Sequence, residues 1–460
     1  MLDPVDAAAL KFAENALQRC ATPMLQRKFV ALGGVDMILN FLSMSVNDEV
    51  VSKAAQVLQS IAGSSNQACL RIAKLGGVPM LLRQLRQTRN REVLLSVTLA
   101  LRSVLELYSE VRNDDVWADV EIFTGQWLED APEVMVQVLV KSGGEQLTRE
   151  ASALIYFGCT CRPAMMAPVG KAGGVHELLK VCSDAVSKQR SSQEASNIDW
   201  VTAEWAVNAL CVLLMTEANH EAFAAGSGPA TLVSLLKISC VTEILEQGAR
   251  ALSNFMCTHR SQQQVASVGG AEVLVSHIQM YVGQKPLKQG MDEDDLSCGV
   301  MEQMCAAICN LTFENDSTRV RVGDAGGCQC LVLLLKREME DQGEAVVRQA
   351  CAAIGNICKK NRTNRSLVGA WGGCEALLDV IRCGAPTEQT RMQAVRAIGN
   401  VAMRMPDNQL KFTAADGPRL LLILVETLSL RLAPVGAAAA LEAEKSSTSL
   451  SSQHGRYASE

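Results

Sequence analysis

Gln349-Ala350-Cys351-Ala352-Ala353-Ile354-Gly355-Asn356 is followed, after a polar loop, by Gly372-Gly373-Cys374-Glu375-Ala376-Leu377-Leu378. The first stretch is alanine-rich and carries a glutamine and an asparagine seven residues apart. Seven residues is nearly two helical turns, so both carboxamides share one face about 10 Å apart along the axis. The second stretch sets a glycine pair before an aliphatic run, as a tight turn feeding an amphipathic helix requires.

The glycine pair recurs at Gly33-Gly34, Gly76-Gly77, Gly173-Gly174, Gly269-Gly270 and Gly326-Gly327. Looser versions stand at Gly226-Ser227-Gly228 and Asp416-Gly417, and a degenerate one at Gly125. Taking Asp416 as the last anchor, successive first residues are 43, 49, 48, 53, 43, 57, 46 and 44 apart. A period in the forties predicts an α-solenoid with two or three helices per repeat.

The order inside a repeat is constant. An amphipathic helix follows the glycines, with Pro79, Pro229 and Pro418 where a first turn tolerates them. A polar break and an alanine-rich helix come next. A short loop with an asparagine (Asn66, Asn219, Asn364, Asn408) then predicts the cap of a short third helix. No segment alternates with period two, so strands are not expected.

At 460 residues the chain exceeds one compact core, and 48% apolar with 20% charged residues marks a folded protein. Aromatics are only 4%, which suits closely packed helices. The formal net charge of −6 recommends neither nucleic acid nor an anionic membrane as partner. The most apolar stretch, residues 420–432, is interrupted by Glu426 and Arg431, so no membrane insertion is expected. Met1-Leu2-Asp3-Pro4 lacks the basic start of a secretory signal. Seventeen cysteines therefore read as reduced, buried, small hydrophobes of the cytosol or nucleus. Sequons begin at Asn310, Asn315, Asn361 and Asn364 and carry no meaning in that compartment.

These residues resemble the armadillo family, whose repeats run as a Gly-Gly turn, an aliphatic helix and an Ala-Leu-x-Asn helix. The resemblance extends from about residue 30 to about 430. It implies an all-α fold, a right-handed α-solenoid (superhelix) of about nine armadillo repeats. Residues 1–32 would be N-terminal capping helices, 33–244 repeats with a degenerate groove, and 245–432 repeats with a Gln/Asn ladder. Residues 433–460 would be a helix end and a disordered, serine-rich tail.

The ladder consists of Gln247 and Asn254, Gln303 and Asn310, Gln349 and Asn356, and Gln393 and Asn400. A carboxamide offers an acceptor and two donors, the complement of a peptide unit, so a row of them can hold an extended chain by its backbone. The resemblance implies that role for the four asparagines. The alternative is that they bond to the backbone of the neighbouring repeat. In the N-terminal half the same register holds Ser60, Ser103, Tyr156 and Val212, which form no ladder. Importin-α-type receptors place tryptophan one turn before each asparagine; here Arg250, Ala306, Ala352 and Arg396 stand there, which argues against nuclear-signal binding. Arg250, Arg396 and Arg404 flank the ladder with Lys359 and Lys360, and hint at an acidic ligand or form a mixed solvated surface.

Two repeats are overlong, at residues 183–200 and 281–298, and both inserts should emerge on one edge as solvated loops or as a binding surface. Enzyme signatures are lacking: His176-Glu177 and His220-Glu221 have no second histidine, and Cys159-x-Cys161 and Cys328-x-Cys330 have no zinc-site partners. No catalytic residue, metal site or cofactor is expected. The sequence thus points to a non-catalytic scaffold that binds an extended or helical segment of a partner protein of unknown identity in a concave groove. Two other readings stay open, an edge-binding component of a large assembly such as a ciliary axoneme, and an armadillo regulator of small GTPases or chaperone type. The expected location is cytoplasmic, with nucleus and cilium open.

Overall fold

The computed structural model describes residues 3–432 except 21, 64, 112–126, 192–199, 284–293, 341–342 and 383–386. All regular elements among the described residues are helices, and the fold is the expected all-α solenoid. The chain divides into two units, Met1–His277 with Pro286–Leu311, and Ile278–Lys285 with Thr312–Glu460. The boundary expected at residue 245 concerns side chains on one face and falls inside the first unit. The tail at 433–460 and the degenerate turn at Gly125 lie outside the described residues.

A complete repeat has a short helix, a middle helix and a long helix, as in Asp316–Asp324, Gly327–Glu340 and Glu344–Cys358. The glycine pair meets two separate demands. Its first member adopts a left-handed backbone, from φ 73° at Gly76 to φ 94° at Gly173, and ends the short helix. Its second member allows close approach: a Cβ on Gly77 would lie 2.5 Å from Ile72 Cγ2 and 2.9 Å from the Ile72 carbonyl oxygen. In the two looser repeats the left-handed residue is Ser227 (φ 59°) or Asp416 (φ 60°), so the true anchor of the former is Ser227 rather than Gly226.

The asparagines expected to cap the short helices do something else. Helix Asn66–Lys74 is capped by Ser65, and helices Asp316–Asp324 and Arg362–Ala370 by the sequon residues Asn315 and Asn361. Asn219, Asn364 and Asn408 are buried and join two repeats. Asn364 Nδ2 donates to the carbonyls of Arg319 and Ile357, both at 2.9 Å, the first from the short helix before and the second from its own long helix. Asn408 repeats this with Arg365 (2.9 Å) and Val401 (3.0 Å), and Asn219 with Met166 (3.0 Å) and Leu213 (2.8 Å). The last carbonyls of a helix have no partner within it, and these carboxamides supply one. The following residue works alike: Arg365 donates to Cys358 and Met403 (both 2.8 Å), and Gln409 to Ala402 (2.9 Å). Glycines make the space, since a Cβ on Gly170, Gly323 or Gly369 would sit 1.8, 2.1 or 1.9 Å from the Oδ1 of Asn219, Asn364 or Asn408.

Small residues let the long helices approach one another. A Cβ on Gly355 would lie 3.4 Å from Ala397 Cα, and Ala350, Ala353, Ala394 and Ala397 are fully buried. Leucines of the middle helices fill the interior, Leu81, Leu82, Leu334, Leu335, Leu377 and Leu378 among them. Burial of each such side chain contributes about 1.5–3 kcal/mol. The inserts begin as helix: Gly174–Ser191 and Gly270–Gly283 run into them, and Trp200–Leu213 and Asp294–Thr312 continue beyond. Between these helices the inserts lie outside the described residues, and with them the edge on which they emerge.

Candidate functional site: the carboxamide face of the long helices

In the first unit Asn254 and Asn310 stand at the ends of helices Thr242–Phe255 and Asp294–Thr312. Asn254 Nδ2 donates to the Cys211 carbonyl at 3.2 Å. Asn310 Nδ2 donates to the Ser253 carbonyl (3.0 Å) and hydroxyl (2.8 Å). In the second unit Asn400 Nδ2 donates to the Gly355 carbonyl at 2.9 Å. Each acceptor lies in the last turn of the preceding long helix, so the ladder asparagines also cap helix ends. The Oδ1 atoms of Asn254, Asn310 and Asn400 have no hydrogen-bond partner among the described residues.

Asn356 departs from the pattern. It is 7% exposed, and its Oδ1 accepts from Arg396 Nη2 at 2.7 Å. The guanidinium reaches back one repeat and takes the acceptor that a ligand backbone would need. Of the glutamines, Gln247 accepts from Arg250 Nη1 at 3.1 Å, Gln303 and Gln349 are half-buried, and Gln393 holds a buried Oε1 with no partner among the described residues.

The flanking arginines differ in state. Arg250 Nη2 is held by Glu246 Oε1 at 2.6 Å on its own helix. Arg396 is exposed and makes no ion pair among the described residues. Arg404 is exposed and takes a left-handed backbone (φ 55°), as do Lys360 (φ 54°) and Glu314 (φ 51°) in the repeats before it. Lys359 Nζ pairs with Glu314 Oε1 at 3.2 Å. A cavity of about 240 Å³ in the second unit is lined by Phe313, Glu314, Asn356, Lys359, Arg396 and Asn400, with the Phe313 ring 54% exposed.

Where the first unit lacks carboxamides, aromatic rings take their place. Tyr156 meets Trp205 edge-on with centroids 5.7 Å apart, and Phe157 lies 5.5 Å from Trp205. Arg102 reaches over the indole at 5.8 Å and pairs with Glu106 and the buried Glu150, both at 2.8 Å. Trp205 stands seven residues before Val212, at the glutamine register, and that spacing was the one available signal of this cluster.

The described residues hold no group of three or more His, Cys, Asp and Glu side chains able to bind a metal. His220 Nε2 lies 2.9 Å from the Leu214 carbonyl, which only accepts, so this nitrogen carries the hydrogen. Nδ1 then faces the Cys257 thiol at 3.4 Å. Burial first, and then the Glu217 charge, push that thiol up, the reverse of an activated nucleophile.

Repeated three-helix units, stapled through their helix ends, define an armadillo-type solenoid. The model of the armadillo/β-catenin-like repeat matches residues 315–359, the repeat that ends on Asn356. An engineered protein of known structure is 23% identical, with 91% of this chain and 90% of that chain covered and a TM-score of 0.69. A structure concerning a phosphorylation switch in the cadherin–β-catenin interaction is 16% identical, covering 90% of this chain and 69% of that one, with a TM-score of 0.67. Comparison with curated proteins finds no significant match. The chain has the fold of an armadillo-repeat protein.

Proposed function

We propose that this chain is a non-catalytic interaction scaffold that holds an extended or helical segment of a partner protein along the carboxamide face of its long helices. The observation carrying this reading is the divided use of the ladder asparagines. In Asn254, Asn310 and Asn400 a bond to the preceding repeat fixes the carboxamide, while Oδ1 stays without a partner among the described residues. A fixed Oδ1 acceptor can take an N–H of a ligand backbone and loses little freedom on binding, and at Asn400 one N–H remains as well. The sixteen described cysteines form no disulfides, in keeping with the expected cytosol or nucleus.

The test is capture of partners from a lysate by the full chain and by its Asn310→Ala and Asn400→Ala variants, with stability measured on the same proteins. Partners bound through the face should lose about 1–3 kcal/mol of affinity per site. Ser60→Ala and Ser103→Ala, at the same register outside the ladder, should leave the partner set unchanged. If the asparagine variants lose several kcal/mol of stability while their folded fraction binds every partner normally, the carboxamides are staples only and the reading fails.

A further inference from the structure

We propose that Arg396 makes the second unit's stretch of this face selective for an acidic segment, with a partner Asp or Glu carboxylate seated on its guanidinium beside an apolar side chain over Phe313. The inference rests on the groove reading above and adds to it what the groove selects.

The argument begins with Asn356, whose acceptor is already taken. Because Arg396 Nη2 bonds Asn356 Oδ1 at 2.7 Å, a ligand N–H would have to share this acceptor with the guanidinium. The same bond, with a longer contact from Nη2 to the Ala352 carbonyl at 3.5 Å, fixes the guanidinium in place. Its remaining N–H groups have no partner among the described residues, and no carboxylate neutralises it. A backbone reader has thereby been replaced by a planar donor fork, the shape that fits a carboxylate in two parallel hydrogen bonds.

The equivalent arginine of the first unit shows that this state is particular to its position. Arg250 is tied to Glu246 at 2.6 Å and to Gln247 at 3.1 Å, so its charge is satisfied within its own helix. Four residues before Arg396 stands Met392, which offers no such charge. The setting of Arg396 suits the same ligand. It lines the cavity of about 240 Å³ together with Lys359 and the half-exposed Phe313. The one acid there, Glu314, is already held by Lys359 at 3.2 Å. A carboxylate entering this space meets an uncompensated cation, and an adjacent apolar side chain can cover the ring.

The experiment is an array of 12-residue peptides in which Phe is paired with Glu, Gln or Lys at varied spacings, probed with the full chain at low and at physiological salt. The Phe–Glu peptides should bind at least tenfold tighter than their Phe–Gln counterparts, and the Phe–Lys peptides weakest. Added salt should shrink the difference. Arg396→Gln should reduce the preference for Glu over Gln below threefold. Arg396→Lys should retain part of the preference, having the charge without the fork. Arg382→Gln, on an arginine that pairs with Asp379 within helix Gly373–Arg382, should change nothing. Thermal unfolding of each variant checks that it is folded. If Phe–Glu and Phe–Gln peptides bind alike and both weaken in Asn400→Ala, the selectivity is refuted and the groove reading stands. If no peptide binds, or binding ignores Asn400→Ala, the groove reading falls and takes the selectivity with it.

Discussion

Gly369→Ala lowers the stability of the protein by about 2–4 kcal/mol, the range of overpacking and broken buried polar contacts. Glycine in a helix interior is ordinarily worse than alanine by about 1 kcal/mol, so the expected sign is the reverse of the usual one. Gly369 lies within helix Arg362–Ala370, and an added Cβ would stand 1.9 Å from Asn408 Oδ1. The carboxamide cannot simply turn aside. It is 2% exposed and pinned to the carbonyls of Arg365 (2.9 Å) and Val401 (3.0 Å), and both bonds would be lost if it moved. Asn408→Ala should cost a similar amount, because the helix-end carbonyl of Val401 is left without this partner and the mid-helix carbonyl of Arg365 loses its second donor. The double variant Gly369→Ala with Asn408→Ser should cost at least 1 kcal/mol less than the two single changes added together, the coupling expected of groups in contact. The chain itself uses that combination at the equivalent places, Ala224 and Ser261. Denaturant unfolding followed by circular dichroism measures the parent, Gly369→Ala, Asn408→Ala, Asn408→Ser and the double variant. A neutral or stabilising Gly369→Ala, or strictly additive costs, would refute the pairing.

Raising the pH from about 9 toward 12 should unfold both units without any added denaturant. Burial pushes the thiols of Cys69, Cys159, Cys182 and Cys211 in the first unit up to about 12. It does the same to Cys328, Cys330 and Cys374 in the second unit, and holds Cys358 well above its ordinary 9.0. An unfolded chain releases these protons near pH 9, whereas the folded chain keeps them. Between the two values the unfolded state binds fewer protons, so stability is intact below 9 and falls as the pH climbs. Each thiol removes about 1.4 kcal/mol per pH unit in this window. With four in a unit, about two pH units would exhaust the 5–15 kcal/mol typical of a domain. Helicity and thiolate absorbance should change together, and Cys182→Ala or Cys358→Ala should move the midpoint upward. Thiols that ionise near pH 9 while helicity persists would overturn the expectation.

The fold was legible because its signal was both periodic and chemical. A left-handed turn admits glycine most readily, and at six of the eight described turns that open a middle helix glycine stands there. Ser227 and Asp416 hid the same backbone behind side chains, which shifted one anchor by a residue. The staples were harder to see. Asn364 and Asn408 stand near helix starts, where an asparagine commonly caps, but the capping side chain of the first helix is Asn361, three residues earlier, and Met405 in the second offers none. Whether such a residue caps its own helix or another depends on a glycine in the repeat before, a relation that local spacing does not carry. Register puts each glutamine and asparagine on one helix face, yet it gives no sign of the exception. Nothing in residues 349–356 reveals that Asn356 is occupied, because its partner Arg396 lies a whole repeat downstream.

The pairing of Gly369 with Asn408 also governs how arrays of this kind can be cut and rejoined. The glycine turns look like natural seams, and a block taken from Gly372 to the turn at Asp416 would seem self-contained. Such a block carries Asn408 but leaves Gly369 behind. Transplanted behind a short helix with alanine at that place, it would arrive with a steric mismatch built into its first joint. A block exchanged from within the short helix, upstream of Gly369, keeps both halves of the joint together. The heritable module of this chain is therefore offset from its visible repeat, and duplications that respect the offset are the ones the fold tolerates.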